Sequence, residues 1–125
     1  MLFVVSSRED PNLRATVMVA TFRGFDVFLP ADSESDVTGA LALRRVEVLK
    51  VAHHGSADPG LTDLLDRLRP QVAVIEVGAH NPFGHPRPST LAALRGAGPT
   101  VLRTDRDGDV SMSLEHGRMS LERGR

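Results

Sequence analysis

Two adjacent histidines, His53 and His54, end the apolar run Val48-Leu49-Lys50-Val51-Ala52 and are followed by Gly55-Ser56. Imidazoles titrate near neutral pH and ligate metals, so the pair could hold a cation, bind phosphate or move a proton. Ala57-Asp58-Pro59 then opens a helix, whose N-terminus favours anions. The competing reading is a surface turn that contains histidine. A carboxylate, Asp32, follows the run Phe25-Asp26-Val27-Phe28-Leu29. It suits a metal ligand at a strand end and equally a helix cap. His80 and His85 fall in a Gly- and Pro-rich stretch, His85 inside a tight Gly-His-Pro turn that fixes its direction. Asp105 and Asp107 beside Gly108 are explained by turn-making, His80 by a plain loop, and His116 by solvation in a charged tail.

Those residues must be positioned by the elements between them. Leu2 to Val5 reads as a first strand and Ser6 to Asn12 as a loop. Thr16–Phe22 and Phe25–Leu29, joined by Arg23-Gly24, read as a β-hairpin. Asp32 or Ser33 caps an expected helix through Val37 to Leu43. The histidine run is an expected strand, Val46 to Val51. Leu61, Leu64, Leu65 and Leu68 recur at helical spacing in a helix from about Pro59 to Leu68, with Asp63, Asp66 and Arg67 facing out. Val72 to Val77 is a further strand, Ser89 or Thr90 to Arg95 a short helix, and Thr100 to Arg103 another strand. A turn at Asp105 to Gly108 precedes a last strand, Val110 to Leu114, and the tail Glu115 to Arg125 reads as an edge strand or as loose chain.

The fold class is therefore α/β: an N-terminal β-hairpin, then βαβαβ with right-handed crossovers, then a final strand. Parallel strands bring Asp32, His53 and His54, and the segment from His80 to Pro88 to one edge of the sheet, where open α/β sheets bind ligands. A carboxylate and several imidazoles from separate strand ends form the donor set of a hydrolytic metal site for zinc, manganese or iron.

Composition narrows the classes. The 125 residues suit one domain, 1–125, with residues 1–15 and 115–125 as its loose ends. With 15 basic and 16 acidic residues the chain has no basic stripe for nucleic acid. It has no cysteine, which excludes disulfides and thiolate zinc sites. Five Phe and no Trp or Tyr give no stacking platform for single strands. No apolar run approaches the roughly 20 residues that span a bilayer. Met1 to Val5 lacks the basic flank of a signal peptide, so a soluble chain without membrane contact of its own is expected.

Three separated motifs carry a family resemblance: Val48-Leu49-Lys50-Val51-Ala52-His53-His54-Gly55-Ser56, Gly84-His85-Pro86 and Leu102-Arg103-Thr104-Asp105-Arg106-Asp107-Gly108. In order and spacing they resemble the C-terminal metallo-β-lactamase-like domain of the ComEC family of DNA-internalisation competence proteins, from about Thr16 to Leu114. The resemblance implies an αββα sandwich with a metal pair at the sheet edge and metal-dependent hydrolysis of phosphodiesters in the non-transported DNA strand. It implies that Asp32, in Pro30-Ala31-Asp32 where the family has Thr-Gly-Asp, is a metal ligand. The same holds for His54, preferred because it directly precedes glycine, or His53. It further implies that His85 is a catalytic residue, as phosphate contact or proton donor, and that Ser56 and His85 bind substrate.

Manganese or zinc is the implied cofactor and DNA the implied partner. The implied parent lies in a bacterial membrane, with this domain on the extracytoplasmic side. Two departures matter. The family's His-x-His-x-Asp-His motif is absent, and Asn12-Leu13-Arg14-Ala15 lacks the family's serine. The chain thus resembles the C-terminal half of the domain, leaving one sheet face to be covered by the missing N-terminal half or by a second copy in a homodimer. The alternatives are a non-catalytic truncated module and a small phosphate-binding α/β protein.

Overall fold

A computed structural model describes residues 16–124 and the backbone of Leu2–Val4. The expected loop Ser6 to Asn12 and the stretch Asn12 to Ala15 lie outside the described residues.

Strand β1 (Leu2–Val4) pairs antiparallel with β2 (Thr16–Phe22), which pairs antiparallel with β3 (Phe25–Leu29). Arg23 and Gly24 take φ values of 48° and 83°, the two left-handed positions of a tight hairpin turn. Next come α1 (Ser35–Thr38), β4 (Val48–Lys50), α2 (Leu61–Leu68), β5 (Val72–Ile75), α3 (Pro88–Ala97) and β6 (Thr100–Arg103). Strands β3 to β6 run parallel, giving one six-stranded sheet in the order β1-β2-β3-β4-β5-β6. A short helix α4 (Thr104–Asp107) leads to a separate hairpin of β7 (Val110–Glu115) and β8 (Arg118–Arg123).

The mixed α/β class with a largely parallel sheet is as expected. Several element limits differ. The helix expected through Leu43 stops at Thr38, and its N-cap is Glu34 rather than Asp32 or Ser33, with the Asp58 carboxylate accepting the Ser35 N–H at 3.0 Å. Instead of coiling on, the segment beyond Gly39 is held by the Arg67 guanidinium, which donates to the carbonyls of Gly39 and Leu41 at 2.7 Å each. Strand β4 is shorter than expected, although Val46 and Val51 remain tied by backbone bonds to Leu68 and Val74. Helix α3 starts at Pro88, where proline suits a first-turn position, and runs past Arg95 to a left-handed Gly98. The turn at Asp105 is one helical turn. The charged tail, expected as an edge strand or loose chain, supplies β8, paired with β7 across a left-handed His116-Gly117 turn.

One sheet face is sealed. Val17, Phe28, Leu49, Ala73 and Ile75 meet Leu61, Leu64, Leu65 and Leu68 of α2 and Leu94 of α3, all buried. Each of these side chains other than Ala73 contributes about 1.5–3 kcal/mol on full burial. The other face holds Val48, Val72 and Leu102, with Val110, Met119 and Leu121 of the β7–β8 hairpin packed on them. The cross-strand pairs Met18–Leu29, Ala20–Val27 and Phe22–Phe25 extend this second face beyond the hairpin. There Met18 is 41% and Phe22 58% exposed. No helix among the described residues is long and apolar enough to cross a membrane.

Candidate functional site

The C-terminal ends of β3, β4 and β5 lie along one edge because the three strands are parallel, and each carries a polar segment. After β4 the chain makes a tight turn, Ala52–Gly55, in which His53 and His54 both adopt left-handed backbone (φ 51° and 55°). Such conformations cost non-glycine residues on the order of 1–3 kcal/mol each and persist where surroundings over-determine them. Here the His53 N–H donates to the Ala31 carbonyl at 3.0 Å, the Ser56 N–H to the His53 carbonyl at 3.0 Å, and the Arg87 N–H to the Gly55 carbonyl at 2.9 Å. Gly55 is required at this point. Its φ is +81°, and a Cβ there would sit 2.6 Å from Pro86 Cβ.

Each histidine is oriented through Nδ1. That of His53 lies 2.9 Å from Glu34 Oε1, and that of His54 lies 2.7 Å from the Glu76 carbonyl oxygen. A carbonyl accepts only, so His54 must be protonated at Nδ1, which leaves Nε2 as its acceptor or ligand atom. Holding the far ring nitrogen in this way is how proteins orient working imidazoles.

His85 joins the pair, its ring 5.9 Å from that of His53, which itself lies 6.5 Å from that of His54. Its position is set by Asn81. The amide oxygen accepts the His85 N–H at 3.0 Å, and the amide nitrogen donates to the His85 carbonyl at 2.8 Å. Burial, then the charges of His53, Arg87 and His54, hold the His85 imidazole below its ordinary pKa, with Glu34 opposing. The neutral ring is favoured, a form that accepts a proton, whereas the proton-donor role implied by the resemblance needs the imidazolium.

Of the residues singled out in the sequence, His53, His54 and His85 are thus brought together. Asp32 is half-buried in the turn after β3, beside Ala31, whose carbonyl holds His53. Ser56 is used by its backbone: its carbonyl accepts the Thr90 hydroxyl at 2.7 Å, tying α3 to the histidine turn. His80 is exposed, and His116 is exposed at the hairpin turn. Asp105 accepts a two-point bond from Arg103, and Asp107 accepts the Arg103 N–H at 2.8 Å. Glu34 and the Glu76 carbonyl escaped sequence reasoning, since no spacing marks partners 19 and 22 residues away, and Asn81 escaped it inside a loop without periodicity.

The implied manganese or zinc is testable against these donors. Their chemistry suits such an ion, since two imidazoles are held for Nε2 ligation. Their number does not: among the described residues no three His, Asp or Glu side chains are grouped so as to hold a metal ion.

No family model matches the chain. It is 30% identical over 123 residues, 97% of its length, to Recombination protein 2 of Haemophilus influenzae. It is 33% identical over 82 residues, 66% of its length, to ComE operon protein 3 of Bacillus subtilis. Over 77 residues, 62% of its length, it is 32% identical to Competence protein ComA of Neisseria gonorrhoeae. The matched stretch is 16% of the first protein and 11% of each of the other two, so the chain spans a small part of these relatives.

Proposed function

The chain is a relative of the ComEC-family competence proteins, and from that premise we propose that it serves DNA uptake as part of a phosphodiester-hydrolysing domain. The observation that carries this reading is the histidine edge: three imidazoles at the ends of parallel strands, two of them Nδ1-anchored on strained backbone. His54 and His53 each keep Nε2 free of the Nδ1 contact that orients the ring, and neutral His85 contacts a phosphate oxygen or takes a proton from the attacking water. Asp32 and Ser56 lie in the turns after β3 and β4 at the same edge, and Ser56 is proposed as a substrate contact. A metal would need ligands from outside the described residues, so no step is assigned to it. DNA is the proposed partner, and the uncovered sheet face is proposed to take the rest of the domain or a second copy. The parent is proposed to be a bacterial membrane protein with this domain on the extracytoplasmic side.

The test is cleavage of single-stranded DNA by the full-length gene product with manganese or zinc supplied, beside its His54→Ala and Asp32→Ala variants. We expect His54→Ala to lower the rate at least 100-fold. Undiminished cleavage by both variants would overturn the reading.

A second reading, a non-catalytic module, is favoured by the incomplete donor set among the described residues. It predicts no cleavage by the full-length product either.

A further inference from the structure

The third sequence motif, Leu102-Arg103-Thr104-Asp105-Arg106-Asp107-Gly108, contributes no imidazole, yet it lies at the same edge of the sheet, at the end of β6. Its Thr104 side chain reaches across to the chain leaving β5. The hydroxyl oxygen accepts the Val77 N–H at 2.8 Å and donates to the Val77 carbonyl at 2.9 Å. That N–H shares a peptide group with the Glu76 carbonyl, and the Glu76 carbonyl is the acceptor for His54 Nδ1 at 2.7 Å.

A peptide group is planar, and in its trans form the C=O and N–H point in opposite directions. One rigid plate is thus gripped on one side by Thr104 and on the other by His54. Rotating the plate to free the N–H would also swing the carbonyl away from the imidazole. Bonds in such a chain also polarise one another, so the Thr104 contact strengthens the Glu76 carbonyl as an acceptor.

We propose that Thr104 is a positioning residue for His54, acting through the Glu76–Val77 peptide to hold the imidazole in its Nδ1–H tautomer with Nε2 presented to the site. Threonine suits the task better than serine, because its β-branch restricts χ1 and keeps the hydroxyl on the peptide. Glu34 does for His53 directly what Thr104 does for His54 at one remove. The proposal rests on the reading of His54 as a working group of the site, but its structural content is measurable without activity.

The experiment is nitrogen-15 NMR of the histidine side chains in the 125-residue chain at a pH where they are neutral. Wild type, Thr104→Ser and Thr104→Val are compared, with His54→Gln supplying the assignment. We expect a single Nδ1–H signature for His54 in wild type, its retention in Thr104→Ser, and a mixture of tautomers in Thr104→Val. In the full-length gene product, Thr104→Val should lower DNA cleavage about 10- to 100-fold, the usual effect of removing an outer partner, with Thr104→Ser restoring it. A wild-type His54 that is protonated at Nε2 or mixed overturns the proposal with no substitution needed. A Thr104→Val chain that keeps the pure Nδ1–H signature also overturns it. Cleavage absent from a wild-type protein with the expected tautomer would count against the nuclease reading and leave the positioning role standing.

Discussion

The two faces of the six-stranded sheet are built to different degrees of closure. On one, α2 and α3 lay four leucines of one helix and Leu94 of the other over Phe28, Leu49 and Ile75, and each of these strand residues is at most 1% exposed. On the other, a two-stranded hairpin covers β4 to β6 and stops, leaving Met18, Phe22 and Met112 at 40% exposure or more. The first face needs nothing further to exclude water. The second presents a contiguous apolar strip, the kind of surface that marks an interface. This chain therefore brings one complete core and one half-core, and the histidine edge lies along the border of both.

Substitutions in the two cores separate the faces by their cost. Phe28→Ala on the sealed face is expected to cost about 3–5 kcal/mol, because its cavity is ringed by helices that cannot collapse into it. Leu102→Ala on the second face should cost about 2 kcal/mol, at the low end for leucine, since the hairpin can settle inward. Denaturant unfolding of the two variants checks both figures. Equal losses would mean that the second face is as closed as the first.

Acid sharpens the contrast. The Arg103 N–H, assisted by Arg123, draws the Asp107 carboxyl below its ordinary pKa against the opposing effect of burial. A depressed folded pKa contributes stability that is present above the unfolded value, about 3.9 for Asp, and lost as pH falls through the folded value. Because Arg123 belongs to β8, this loss should loosen the hairpin that covers the second face. Amide exchange in β8 should rise below about pH 4 ahead of exchange in α2, and Asp107→Asn should remove the difference.

The smallest effect on stability is expected at the strip itself. Phe22→Ser should shift unfolding by no more than about 0.5 kcal/mol, as for an exposed side chain. If a second copy covers the strip, the same change should reduce self-association in sedimentation. Association that is unchanged would point to another occupant for that face.

Much of this architecture was legible in the chain. Arg23-Gly24 between two β-rich runs specified the hairpin, and leucines at 61, 64, 65 and 68 specified the buried side of α2. The alternation of strand and helix implied parallel pairing, and with it the placing of the segments after β3, β4 and β5 along one edge. These features follow from local chemistry: turn residues that accept positive φ, and apolar spacing that matches one period of secondary structure. The premature end of α1 was not legible, because Arg67 of a later helix takes the carbonyls that would otherwise continue it. Nor was the placement of the charged tail as β8 on the second sheet face, where Met119 and Leu121 alternate with polar neighbours.

Which residue types stand at the edge of the sheet follows from the order of strands, helices and polar segments along the chain. Tertiary structure alone decided how they are held: Glu34 on His53, the Glu76 carbonyl on His54, Asn81 on His85 and Thr104 behind Val77. Residue type and periodicity act over a few positions, whereas the orientations of His53 and His54 depend on partners 19 and 22 residues away along the chain. Only the packed sheet brings such partners within hydrogen-bond reach.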